Sequence, residues 1–120
     1  MAKYVDGFVL VVPKRNLETY RRVAELGCKV WREHGALEYR ECVAEDIDVK
    51  FGVPFPQQMS AGPDETVVFA WIVYASRADR DRVNEKVMND PRMCEGMDPN
   101  NAPFDCKRMA YGGFEVLVEA

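Results

Sequence analysis

Nine consecutive residues, Thr66-Val67-Val68-Phe69-Ala70-Trp71-Ile72-Val73-Tyr74, are β-branched or aromatic except for one alanine. A strand bordered by solvent on one face alternates apolar with polar side chains. This run has no polar set to offer and reads as a central strand covered on both faces. Any fold for the chain must therefore place material on each side of the sheet at this strand.

The flanking segments set the order of elements. Tyr4 to Val12 reads as a first strand stopped by Pro13, and apolar residues at Leu17, Tyr20, Ala24, Cys28 and Trp31, with His34, then follow a helical period. Asn16 is a candidate N-cap, with a start nearer Lys14 as the alternative, and Gly35 suits the residue that ends a helix. Ala36 to Glu45 reads as a second strand with Leu37, Tyr39 and Val43 toward the core and Glu41 toward solvent. Residues 46–64, rich in proline and glycine, form a long connection that is either functional or a flap. Ser76, with Asp79 three residues on, caps a second helix. The alternating charges from Arg77 to Arg82 read as its solvated surface, and Asp90-Pro91 ends it. Met93 to Phe104, punctuated by Gly96, Pro99 and Pro103, reads as loop, and Lys107 to Val118 as the last strand.

The resulting order, βαββαβ, predicts an α+β, ferredoxin-like fold: a four-stranded antiparallel sheet with the first and third strands central, the fourth beside the first, and two helices on one face. At 120 residues, residues 1–120 are expected to form one domain. Gly7 in the first strand and Gly112-Gly113 in the last would then face each other, giving a thin, bent region of sheet.

Two helices cover one face only, so the second apolar set of the third strand needs another partner. Phe69 to Tyr74 partly matches the aromatic motif of RNA-recognition folds. However, Val67 and Val68 stand where a basic residue and a glycine belong, and the net charge of −4 opposes a phosphate backbone. No nucleic acid is expected. The favoured partner is a second copy of the chain, closing the helix-free sheet faces into a homodimeric α/β barrel. No segment is apolar enough to span a membrane, no secretory leader is evident, and a cytoplasmic location is expected. Cys28, Cys42, Cys94 and Cys106 lack metal or redox spacing and read as reduced, buried thiols.

The segments Tyr4-Val5-Asp6-Gly7-Phe8-Val9, Phe69-Ala70-Trp71-Ile72, Asn89-Asp90-Pro91-Arg92-Met93 and Pro103 to Glu115 resemble the YbaA-like family of small bacterial proteins, with Val49 to Gly62 matching least. The resemblance implies a dimeric ferredoxin-like fold and supplies no function, since the family is a domain of unknown function. More distantly, the fold resembles the dimeric α/β-barrel superfamily, which includes cofactor-independent monooxygenases, haem-degrading enzymes, small isomerases and stress-response proteins.

Four residues stand out as candidates for chemistry. Asp6 is a carboxylate inside an apolar strand, with Lys107 and Arg108 as expected partners and a structural ion pair as the plain alternative to a base or substrate anchor. Tyr111 offers a phenolic hydrogen bond beside it. His34, the single histidine, sits where it favours a helix C-terminus. One histidine cannot build a metal centre, and no P-loop, dinucleotide or paired-cysteine motif is present, so no metal and no cofactor are expected. Tyr20, Trp31, Met88, Met93, Met97 and Met109 read as core or interface. The leading expectation for function is a small-molecule pocket between helices and sheet. The alternatives are a cofactor-independent monooxygenase- or isomerase-like enzyme and a non-catalytic dimerisation module.

Overall fold

A computed structural model describes residues 2–96 and 102–120. Met97 and Pro99 lie outside the described residues, as does the side chain of Cys94. In chain order the elements are β1 (Tyr4–Pro13), α1 (Leu17–His34), β2 (Glu38–Val43), a single-turn α2 (Phe55–Gln58), β3 (Glu65–Tyr74), α3 (Arg77–Met88), a short α4 (Pro91–Gly96) and β4 (Ala110–Glu115). The sheet order is β2-β3-β1-β4 with every pair antiparallel, as the βαββαβ reading requires.

Side-chain parity splits the sheet into two faces. Leu10, Val12, Val68, Ile72 and Tyr74 point toward the helices and are buried with Tyr20 and Val30 of α1 and Val83 and Val87 of α3. On the opposite face, Val5, Gly7, Val9, Phe69, Trp71, Val73, Gly112 and Phe114 form a shallow apolar concavity, where Phe69 is 44% and Phe114 62% exposed. The long connection reaches this face at one point: Phe55 of α2 meets Phe69 edge-on at 6.0 Å.

Helix ends follow local chemistry. Ser76 Oγ accepts from the Asp79 amide at 3.1 Å, and Gly35 ends α1 at φ +121°, a conformation that a side chain would strain. A 3-10 turn over Lys14–Asn16 leads into α1, so helical winding starts at Lys14. Asn16 makes no side-chain cap and instead donates from Nδ2 to the Pro103 carbonyl at 3.2 Å.

Four expectations are corrected. Leu37 and Val43 are 47% and 51% exposed because β2 is an edge strand whose ends run past α1, whereas Glu41 points inward. The segment after Asp90 is not all loop: Pro91 occupies the first position of α4, where its missing N–H is no loss. β4 is shorter than expected, with a 3-10 turn at Cys106–Arg108 before it and Leu117 and Val118 exposed after it. Among the described thiols, Cys42 and Cys106 are exposed and Cys28 is half-buried.

The paired glycines have distinct causes. Gly7 lies opposite Gly112, and Gly113 lies opposite Asp6. A Cβ on Gly7 would make ordinary contact with the Phe114 ring at 3.4 Å. A Cβ on Gly113 would fall 2.5 Å from the Tyr4 hydroxyl, because the Tyr4 ring lies across that position with the Arg80 guanidinium 4.9 Å from its centroid. Gly113→Ala is therefore expected to displace Tyr4 and lower stability by about 1–2 kcal/mol. The same substitution in a Tyr4→Ala background should be close to neutral in a double-mutant denaturation cycle.

Arg108 is placed away from Asp6. It forms a fork with Glu65 (2.8 and 3.2 Å) and donates to the Ser60 carbonyl at 2.9 Å, tying the start of β4 to the end of the long connection. The Arg108 hydrogen bond, aided by the Gly62 amide, lowers the Glu65 pKa from 4.5 to about 2. A carboxyl depressed on folding stabilises above its unfolded pKa and loses that contribution as pH falls through the folded value. Glu65→Gln should thus flatten the acid limb of the melting-temperature profile between about 4.5 and about 2.

Candidate functional site

Between helices and sheet lies a cavity of about 360 Å³, walled by Phe8, Leu10, Ala70 and Ile72 below and by Trp31 and Met88 above. Its apolar walls are interrupted by two polar ends, each built around a carboxylate.

The first end is Asp6, 1% exposed on the helix face of β1. Arg80 of α3 reaches down to it, with Nη1 at 2.7 Å from Oδ1, and its Nε engages Asp81 at 2.8 Å. Burial disfavours the Arg80 charge, but the bonds to Asp81 and Asp6 more than offset this and hold the guanidinium above its ordinary range. One helical turn later, Asn84 donates from Nδ2 to Asp6 Oδ2 at 3.4 Å. Its Oδ1 accepts from Trp31 Nε1 at 3.1 Å and the Tyr74 hydroxyl at 3.0 Å. Burial and then the Asp6 charge push the Tyr74 phenol up. Tyr111 stacks on Phe8, with centroids 4.8 Å apart, and lines the same cavity. Its pKa is raised by burial and then by Asp6, with Arg80 opposing.

The second end is Glu41 on β2. Tyr20 of α1 donates to one carboxylate oxygen, and Tyr39, two residues earlier on the same strand face, donates to the other at 2.6 Å. Gly27 in mid-helix makes room for this arrangement, since a Cβ there would sit 3.0 Å from the Tyr39 hydroxyl. Burial, followed by the Glu41 charge, drives both phenols far above their ordinary pKa. They are donors at every physiological pH. Tyr20, Tyr39 and Glu41 also line a groove on the outer side, between α1 and β2, so the trio forms the partition between groove and cavity.

Of the four residues singled out in the sequence, Asp6 and Tyr111 meet in this cavity. His34 and Arg108 do not line it. His34 Nε2 lies 2.8 Å from Asp90 Oδ2, and Arg92 bridges Asp90 to Glu33. Arg92 first, and His34 second, hold the Asp90 carboxyl well below the usual carboxylate range. The sequence motifs missed Glu41, Arg80 and Asn84, yet a signal was present: residues 80, 83, 84 and 87 are spaced for one helix face, and 83 and 87 are core valines. Arg80 is the point where the supposed solvated surface of α3 turns inward; its side chain is 14% exposed. Among the described residues, no three His, Cys, Asp or Glu side chains are grouped to hold a metal ion. No helix there is long and apolar enough to cross a membrane.

Solved structures share this architecture. A nipsnap family protein of unknown function from Agrobacterium tumefaciens matches with a TM-score of 0.63 at 14% identity, over 96% of this chain and 88% of that one. A dimeric ferredoxin-like protein from an uncultured marine organism matches with a TM-score of 0.59 at 12% identity, over the full length of both. At such identities the likeness concerns the fold alone. In sequence, the uncharacterized protein YbaA of Escherichia coli K12 is 44% identical over 117 residues, 98% of each chain, and YbaA of Shigella flexneri matches equally. The family model described as a protein of unknown function, DUF1428, matches residues 3–106. The chain belongs to the DUF1428 family.

Proposed function

We propose that the protein is a single-domain, cytoplasmic homodimer that binds a small molecule in the cavity between its helices and sheet. The observation that carries this reading is the cavity itself: about 360 Å³, mostly apolar, with hydrogen-bonded polar groups at two fixed ends, within the range typical of ligand sites. Binding is favoured over cofactor-free monooxygenation or isomerisation because the Asp6 carboxylate and two of the phenols facing the cavity are engaged. Asp6 is held by Arg80, and the Tyr20 and Tyr39 hydroxyls are held by Glu41 with their pKa values raised. Asp6 and Tyr111 then serve as wall and anchor residues rather than as a base and its partner. An uncharged aromatic probe, 2-phenylethanol, should give saturable ligand-observed NMR signals with the native protein. Ala70→Phe, which places a ring into the cavity, should abolish them without loss of the melting transition. Absence of binding by this probe and by its amine and carboxylate analogues, or binding indifferent to Ala70→Phe, would overturn the reading.

Dimerisation through the helix-free face is supported by a separate observation, the exposed Phe69 and Phe114 on an otherwise apolar concavity, together with the dimeric description of a ferredoxin-like neighbour. A second copy of the chain would cover that patch. Sedimentation equilibrium should return twice the chain mass, and Phe114→Asp should return a folded monomer. A monomeric native protein would remove dimerisation from the proposal and leave the cavity argument standing.

A further inference from the structure

The two ends of the cavity differ in charge balance. The Asp6 end is an ion pair: its carboxylate meets the Arg80 guanidinium at 2.7 Å. Glu41 takes part in none of the salt bridges among the described residues. Residues 1 and 97–101, outside that set, contain no Lys, Arg or His side chain. Arg40 borders the cavity, but its Nε is engaged by Glu38 at 2.8 Å and its side chain is 61% exposed. Among the described residues, Glu41 thus receives two neutral phenol hydrogen bonds, one on each oxygen, and no salt bridge from a cation. A carboxylate has about four acceptor positions, so about two remain for a ligand.

Aromatic rings border this end. Tyr20 packs edge-on with Phe104 at 5.5 Å, Tyr39 lies 6.1 Å from Trp31, and all four line the cavity. A negative charge without a counter-ion among the described residues, beside aromatic and apolar walls, selects for a cation with an apolar body. A carboxylate ligand would meet Glu41 repulsively, and an alcohol could donate to the carboxylate but would forgo the attraction between opposite charges.

Resting on the reading of the cavity as a ligand site, we propose that its ligand is a small organic amine whose ammonium group docks on Glu41, with an aromatic or aliphatic body along Trp31 and the apolar floor.

The test is a matched series of 2-phenylethylamine, 2-phenylethanol and phenylacetate, titrated by NMR into the native protein and into Glu41→Gln. The amine should bind roughly tenfold or more tightly than the alcohol, with phenylacetate weakest. Glu41→Gln should remove most of the amine's advantage and change the alcohol's affinity by no more than about threefold. Equal affinities in the native protein, or an amine preference that survives Glu41→Gln, would overturn the assignment while leaving the cavity as a site for neutral ligands. Failure of all three probes to bind would overturn both. Should Glu41→Gln not fold, the order of the three probes in the native protein decides alone.

Discussion

Asp6 sits in a central strand with almost no access to water, and a lone charge there would be untenable. Arg80 makes the position viable, and most of the helix layer is arranged around that contact. Because Arg80 and Asn84 lie one turn apart on α3, the same helix face that neutralises Asp6 also reaches Trp31 of α1 and Tyr74 of β3. Two strands and two helices therefore converge on one polar knot within an apolar layer. Removing one partner of such a pair typically destabilises by about 3–5 kcal/mol, since the other charge stays buried. The knot also explains Gly113: Tyr4 covers the guanidinium, and only a residue without a side chain leaves space for its ring.

The two cavity carboxylates show how environment assigns different work to one functional group. Asp6 is neutralised by a guanidinium and also bonded by an amide, which suits it to hold elements together. Glu41 is held by phenol dipoles alone, which orient a carboxylate without cancelling its charge. Asp6 is buried and Glu41 half-buried beside the same apolar walls, so the difference in partner, added to that in depth, separates a structural group from one open to a ligand.

Much of the fold was legible because it depends on periodicity. The β3 run fixed a central strand, and strand order followed from the alternation of elements, Pro13, Gly35 and Ser76. The site was legible only in part. Asp6 and Tyr111 were visible as polar intrusions in apolar strands, but the partner of Asp6 came from a helix 74 residues away rather than from the adjacent strand. Arg80 was hidden by its neighbours, since one inward residue in a run of alternating charges looks like the rest. Glu41 shares parity with Tyr39, so period-two spacing alone placed it toward the helices. The assumption that a glutamate seeks solvent concealed it, because the two hydroxyls that satisfy it come partly from a distant helix. Exposed Leu37 and Val43 mark the converse case, where apolar character said nothing about how far a short edge strand runs under cover.

The chain contains two tryptophans, and the sheet separates them. Trp31 lies above the cavity, its indole N–H fixed by Asn84 and its ring beside Tyr39, so it touches both polar ends. Trp71 lies on the opposite face beside Phe69, with its indole N–H directed at Glu38. The molecule thus carries an intrinsic optical label on each side of one sheet. Replacing either indole by phenylalanine leaves an emission spectrum that reports on a single face, so filling of the interior and covering of the outer surface can be followed separately in unlabelled protein.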